Sequence, residues 1–408
     1  MSIEIRTPPA DQLRHFLEIG GKTFAEALRP EDAERDERVL DPSRLFAAYD
    51  GEALVGTAGD FGLTLTVPGG ELPAAGVTLV GVLPTHRRRG ILTQLMRAEI
   101  DAMVARGEPL AILWASEEAI YGRYGYGMAT LRGSIEADRD RIRFRGNPPP
   151  VGSVRLVDEE EAARVLPPIY ERVRRLTPGM FTRSEEWWRN YRLPDPEHHR
   201  HGAGPRFFVV LEIDGVDEGY ARYRVKDDWK DGVSASTLRV IEALATTPVA
   251  TRELWRFLFG VDLVAKVESW LLPPDHPLFL LVTEPRRLRV RIGDALWLRI
   301  LDVERALTGR SYAADAEVAL ELTDSFRPEN EGVWRLEASG ALARVTRSDG
   351  ETGELRLDVA DLGSAYLGGF TFAQLAQAGR VEEVAAGALA RADALFRTSV
   401  TPWCPEIF

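Results

Sequence analysis

Cysteine is almost absent from this sequence: Cys404 stands alone, so no disulfide can form within the chain. That usage fits a reducing compartment and gives a cytoplasmic location as the expectation, with secretion by a route that needs no signal peptide left open. Long apolar runs are also missing. None approaches the roughly 20 residues of a membrane helix, and the longest, around Ala75–Pro84 and His276–Val282, have the length of strands. The N-terminal MSIEIRTPPADQL carries acids early and lacks the hydrophobic region of a signal peptide. Positive charge is in deficit, with a formal net charge of −12. That argues against general nucleic-acid binding, which needs a basic face. An acidic surface attracts cations, polyamine-like molecules among them, and equally serves solubility alone.

What is present exceeds one ordinary core: 408 residues imply two or three domains. The first break is GNPPPVGS at 146–153, whose three consecutive prolines can neither continue a helix nor pair as a central strand. Before it the pattern is mixed α/β. A β-branched strand candidate, Gly76–Leu83, precedes a helical stretch with Leu92, Leu95, Met96, Ile100 and Met103 on one face, which stops at Gly107; PLAILWAS at 109–116 reads as a further buried strand. After the break, FFVVLEID (207–214) and GYARYRVK (219–226) form a hairpin turning near Asp214-Gly215. STLRVIEALA (236–245) then leads through Pro248 into the helical TRELWRFLFG (251–260). This echoes the first domain and reads as a degenerate internal repeat. From about Ala295 the character changes. EVALELTD (317–324), GVWRLEAS (332–339), ALARVTRS (341–348) and GELRLDVA (353–360) alternate apolar and polar residues, as a half-buried antiparallel sheet does, and helical patterns follow at Thr371–Ala378 and Val381–Leu395.

The segment that carries chemistry is VGVLPTHRRRGILTQLM, residues 80–96. A strand ends at Pro84, an arginine-rich turn follows, then Gly90, then an amphipathic helix. The first backbone N–H groups of a helix have no intrahelical partners and its dipole adds positive potential there, so a pyrophosphate fits that spot. Gly90 lets a phosphate approach the main chain without a side-chain clash, and Arg87, Arg88 and Arg89 add positive field. An ordinary strand–turn–helix can carry the same residues, so both readings stand on spacing alone. A second dense stretch, EEAIYGRYGYG (117–127), places three tyrosines and three glycines in its last seven positions. It is either a tight connection or a site.

Arg87-x-x-Gly90-x-Leu92 resembles the acetyl-CoA-binding motif of the GNAT N-acetyltransferases, Arg/Gln-x-x-Gly-x-Gly/Ala, with Leu92 departing from the small residue usual at its last position. Together, PTHRRRGIL and ASE–IYGRYGYG are similar to the enhanced intracellular survival (Eis) family of aminoglycoside acetyltransferases, and the resemblance runs through LWLRILDV (296–303), DLGSAYLGG (361–369) and the terminal phenylalanine. It implies an α/β (α+β mixed) chain of tandem GNAT folds, the second degenerate, followed by a sterol-carrier-protein-like α+β domain. The expected limits are 1–147, 148–294 and 295–408. It implies acetyl-CoA as co-substrate, held by Val80, Gly81, Val82, Arg88, Arg89, Gly90, Ile91, Leu92, Thr93, Ser116 and Glu117. In the pattern Tyr-x-x-x-Gly-Phe, matched by Tyr121-x-x-x-Gly125-Tyr126, Tyr121 is the general acid that protonates the leaving thiolate. Tyr124 and Tyr126 are packing residues, and Gly122, Gly125 and Gly127 serve the turn. The α-carboxylate of Phe408 is the base, acting through water or by orienting the substrate ammonium. Phe24 and Glu26 line the substrate pocket, where Glu26 is either a ligand for a cationic amine or a solvated helix acid. The family's acid before the last residue is replaced by Ile407, with Glu406 adjacent. The implied partners are a cationic amine substrate and further copies of the chain in a homohexamer, a trimer of dimers, with no nucleic acid and no membrane span.

Other signals carry less. PVATRELW (248–255) sets Leu254 where the first domain has Gly90, which would block close phosphate approach, so this second site reads as dead for coenzyme. EHHRH (197–201) has three histidines but no partner cysteines and no helical H-E-x-x-H pattern, and no metal is expected. No Ser-His-Asp arrangement follows from spacing. The reading that results is an N-acetyltransferase for polycationic small molecules, acting at several amines where the pocket is open. The alternatives are acetylation of protein lysines and a non-catalytic lipid-binding or scaffold protein, against which an intact Gly90 and Tyr121 speak.

Overall fold

The computed structural model describes residues 3–340, 342–348 and 350–408; the N-terminal reading at Met1 and Ser2, and Ala341 at the head of the strand expected over 341–348, lie outside them. The chain divides into two compact units. One comprises Met1–Thr130, Ala295–Ser399 and Glu406–Phe408, and the other Leu131–Asp294 and Val400–Pro405.

The first unit opens with β1 (Ile3–Arg6), α1 (Leu13–Thr23), α2 (Pro30–Val39), β2 (Leu45–Asp50), β3 (Ala53–Val67), β4 (Gly70–Val82), α3 (Ile91–Ala105), β5 (Leu110–Trp114), α4 (Glu118–Tyr121) and β6 (Gly127–Met128). The second unit contains β7 (Leu131–Asp138), β8 (Ser153–Val157), α5 (Glu159–Arg174), α6 (Glu185–Trp187), β9 (Arg206–Ile213), β10 (Val216–Lys226), β11 (Trp229–Lys230), β12 (Val233–Ser234), β13 (Thr237–Ala245), α7 (Pro248–Gly260), β14 (Lys266–Leu272), α8 (Leu278–Leu281) and β15 (Arg291–Asp294). The first unit resumes with β16 (Leu296–Ile300), α9 (Val303–Thr308), β17 (Ala316–Thr323), β18 (Gly332–Ser339), β19 (Leu342–Ser348), β20 (Leu355–Asp358), α10 (Val359–Tyr366), α11 (Phe372–Gln377), β21 (Val381–Glu383) and α12 (Ala388–Phe396).

In the first unit one sheet has the order β1-β2-β3-β4-β5-β16-β6, and in the second unit a sheet runs β15-β7-β14-β13-β10-β9-β8. Each holds one parallel pair joined by a crossing helix: β4–α3–β5 in the first, β13–α7–β14 in the second. The two units therefore repeat one β–α–β construction, as the pattern predicts. β5 is an apolar run because both of its faces are covered. The apolar face of α3 buries Ile91, Leu95, Met96, Ile100 and Met103 against Ala75, Val77, Ala111 and Leu113 of the sheet. In the second unit Leu254, Trp255 and Leu258 of α7 pack on Leu238, Val240 and Val267. No helix among the described residues is long and apolar enough to cross a membrane.

Four expectations are corrected. The C-terminal sheet, β19-β18-β17-β20-β21, is not wholly antiparallel: β20 pairs with β17 in parallel register, Leu320 opposite Leu355. Alternation marks a half-buried strand but does not choose its neighbour. The helix expected over Val381–Leu395 begins only at Ala388, because Gly387 at φ 85° interrupts it and Val381–Glu383 is drawn into the sheet. The strand-length run His276–Val282 contains a helical turn, α8. Finally, Leu254 does not occupy the position of Gly90. It lies buried inside α7, and the residue before that helix is Thr247, whose hydroxyl accepts from the Ala250 N–H at 3.1 Å. The second helix is closed by a side-chain cap rather than blocked by leucine.

Candidate active site

The site is built around β4. Its pairing with β5 covers only Ala74–Gly76 against Leu110–Ile112, and beyond that the two strands part. On its other edge β4 carries a bulge, with Thr57 opposite Gly81 but Gly59 opposite Thr78. Leu79 sits in the bulge at φ 55°, and its carbonyl accepts from the Thr57 hydroxyl at 2.7 Å. A bulge twists and re-aims the strand, so Val80–Val82 turn a free backbone edge toward the gap.

Gly90 is the residue before α3, at φ 77°, with no side-chain cap on the helix. A Cβ built there meets nothing within 4 Å. The uncapped N–H groups of the first turn therefore face open space, the arrangement an anionic phosphate needs. Arg87 lines this space and also fastens the turn, donating to the carbonyls of Val82 at 3.2 Å and Thr23 at 3.0 Å.

These elements enclose a cleft of about 660 Å³. Ten of the eleven residues expected to hold the coenzyme line it, from Val80, Gly81 and Val82 through Arg88, Gly90, Ile91, Leu92 and Thr93 to Ser116 and Glu117, and Phe24 and Tyr121 join them. Arg89 lies outside the lining, its guanidinium 3.9 Å from Asp50. Glu26 is exposed and also outside it. Thr23, Ala25, His86, Ile120 and Arg123 line the cleft without having been singled out. Thr23 belongs there because its hydroxyl lies 2.0 Å from where a Cβ on Gly81 would stand. No local motif marks that contact.

Tyr121 ends α4 and is 6 % exposed. Burial, with Glu99 nearby, pushes its hydroxyl up to about 12 against a smaller lowering by Ser116, so it carries its proton at neutral pH. Tyr126 packs edge-on against it with ring centroids 6.0 Å apart. The Tyr124 hydroxyl lies 3.3 Å from that of Thr93, and its ring meets Phe326. Gly125 makes the turn at φ 78°, where a Cβ would stand 1.5 Å from the Arg299 guanidinium. Phe408 packs on the other side of β4: its ring meets Phe61 edge-on at 6.4 Å and lies 3.2 Å from where a Cβ on Gly76 would stand. Glu406 is buried and Ile407 exposed.

A cleft between parting parallel strands, open to the start of the crossing helix and holding a protonated phenol, is the geometry of a GNAT acyltransferase. The comparisons agree. The acetyltransferase (GNAT) domain matches at residues 4–129 and again at 179–300, and the sterol carrier protein domain at 303–405. An uncharacterized N-acetyltransferase of Streptomyces avermitilis is 42 % identical over 93 % of this chain and 92 % of its own. The N-acetyltransferase Eis of Mycobacterium bovis is 35 % identical over 98 % of each chain. The crystal structure of Eis1 from Mycobacterium abscessus superposes with a TM-score of 0.86 at 35 % identity, covering 99 % of this chain and all of that one. The chain belongs to the Eis family of GNAT N-acetyltransferases. It is an acyltransferase, and enzymes of this class take their acetyl group from acetyl-CoA.

Proposed function

We propose that the enzyme acetylates amines of polycationic small molecules, aminoglycosides among them, at more than one position. The observation that carries the reading is the cleft that joins the free edge of β4, the uncapped start of α3 and the Tyr121 hydroxyl. The pantetheine runs along Val80–Val82 and the pyrophosphate sits at Gly90–Thr93. A neutral substrate amine attacks the thioester carbonyl, the C–N bond forms and the C–S bond breaks. The departing thiolate takes the proton of Tyr121. The proton lost by the amine passes through water to the Phe408 carboxylate, whose ring is seated against Gly76 and Phe61. Phe24 lines the acceptor end and Glu26, exposed nearby in sequence, draws the cation. The family resemblance extends the reading to a homohexamer.

Mass spectrometry of a multi-amine aminoglycoside incubated with the protein and acetyl-CoA tests this, run beside Tyr121→Phe and a chain with one residue added after Phe408. Several acetyl additions, lost in both variants, are expected. Acetyl-CoA binding without transfer to any small amine would move the acceptor to protein lysines, and full activity in Tyr121→Phe would displace the acid.

A further inference from the structure

The second unit has a cavity of its own, about 520 Å³, on the face of its sheet away from α7. Leu238 and Val240 of β13 point into the core beneath α7, so Arg239 between them points to the opposite face. β13 and β14 pair only as far as Val240 opposite Ser269, and the cavity lies where Ile241 and Trp270 then diverge. The comparable face of the first unit is where Phe408 packs at Gly76.

Its lining is rich in arginine, although the chain as a whole is acidic. Arg200, Arg206, Arg224, Arg239, Arg289 and Arg291 all contribute. Arg239 pairs with Glu268 at 2.6 Å; Arg289 pairs with Glu136 at 3.3 Å and Asp138 at 2.6 Å, and Lys266 shares Glu136 at 3.1 Å. Arg200, Arg206 and Arg224 all converge on the single carboxylate of Asp195, at 3.0, 3.7 and 2.9 Å. Seven cations thus meet four carboxylates. The shortage is sharpest at Arg206, whose side chain is only 9 % exposed. It donates to the carbonyls of Arg192 at 2.5 Å and Leu193 at 3.3 Å, but its buried Nε has no hydrogen-bond partner among the described residues. Burial and the neighbouring Arg222 pull its pKa down to about 9, with Asp195 only partly opposing them. Uncompensated positive charge in a concave, half-desolvated setting is costly unless an anion joins it. Guanidinium forks match phosphate oxygens best. Trp270, 47 % exposed, supplies a flat wall.

We propose that this cavity is a second ligand site, separate from the coenzyme cleft, for a small phosphorylated molecule bearing at least two negative charges. His199 and His201 of the EHHRH stretch also line it.

Calorimetric titration with inorganic pyrophosphate tests the site in a full-length Gly90→Asp background, where the first unit's anion position carries a repelling carboxylate. Pyrophosphate is expected to bind there still, and to weaken by about tenfold or more when Arg239→Gln and Arg291→Glu are added. Arg291 is exposed, so Arg291→Glu alone decides the matter if the combined variant melts early. If Gly90→Asp itself does not fold, the same unit-two changes in the otherwise natural chain should remove one pyrophosphate site of those measured. No pyrophosphate bound in the Gly90→Asp protein, or binding unmoved by the arginine changes, overturns the proposal.

Discussion

Arg299 and Asp324 form an ion pair with no exposure to solvent to speak of, at 2.8 and 3.1 Å, and the same guanidinium donates to the carbonyl of Tyr124. Arg299 lies on β16, far along the chain from the tyrosine–glycine turn it clamps. The turn that presents Tyr121 is therefore set by residues of the segment after Ala295, and Gly125 is glycine because Arg299 occupies the space its side chain would need.

Asp324→Ala should consequently be severe. It leaves the Arg299 cation buried without its carboxylate, a change that costs about 3–5 kcal/mol. Urea unfolding followed by the tryptophan signal measures it. Replacing both partners, Arg299→Met with Asp324→Leu, should recover most of the loss. A double variant as unstable as the two single losses added together would show that the pair is not coupled.

Gly90→Asp separates binding from folding. The position has φ 77°, which Asp tolerates at modest cost, and a Cβ there meets no protein atom. The melting temperature should stay close to that of the natural chain while KM for acetyl-CoA rises by about tenfold or more, since a carboxylate then faces the phosphates. Steady-state kinetics with acetyl-CoA as the varied substrate checks it, and an unchanged KM would place the phosphates elsewhere.

How much of this was legible in the sequence depends on range. The β4–α3–β5 crossover could be read because its signals are local: a β-branched run, Pro84, Gly90 and a helical face repeating from Ile91 to Met103. Insertion of β16 between β5 and β6 could not, since Leu296 finds Trp114 across most of the second unit's sequence. Nor could the bulge at Leu79, where no unusual residue type marks the left-handed backbone. Glu99 misleads in the same way. Composition assigns an acid on α3 to the solvent, yet it is fully buried with the core-facing residues. Leu254 falls opposite Gly90 only when the two motifs are aligned by spacing, which ignores where the helix starts, and Thr247 sets that start by capping.

Tyr121 yields a prediction in pH. Its unfolded pKa is near the ordinary 10 and its folded value about 12. Between those values the folded protein holds a proton that the unfolded chain has lost, so this group's contribution to stability is complete below pH 10 and fades as pH rises toward 12. Catalytically, the hydroxyl stays protonated through pH 9. The wild-type rate should show no alkaline fall from this group below pH 10, while Tyr121→Phe lowers kcat by about 10² to 10⁴ at every pH. A descending limb near pH 8 that disappears in Tyr121→Phe would contradict the assignment.

Glu99 gives the opposite kind of test, one in which removing a charged residue should help. Both carboxyl oxygens are buried without a hydrogen-bond partner among the described residues. Burial first, and Asp60 second, hold its pKa well above the ordinary carboxylate value, with Arg106 only partly countering. Asp60 is no relief, since it is itself committed to Arg106 at 2.9 Å and to Arg44. The folded chain keeps a proton on Glu99 at pH values where the unfolded chain has lost it. Its burial therefore costs little below about pH 4 and progressively more as pH rises toward the folded value. Glu99→Met fills a similar volume with apolar atoms and removes that penalty. It should stabilise the first unit by about 1–3 kcal/mol at pH 7, with the gain shrinking as the solution is acidified. Thermal melting of both proteins across pH 4 to 8 reads the difference directly. A gain that is the same at both ends of the range would mean that packing, rather than the buried proton, separates the two chains.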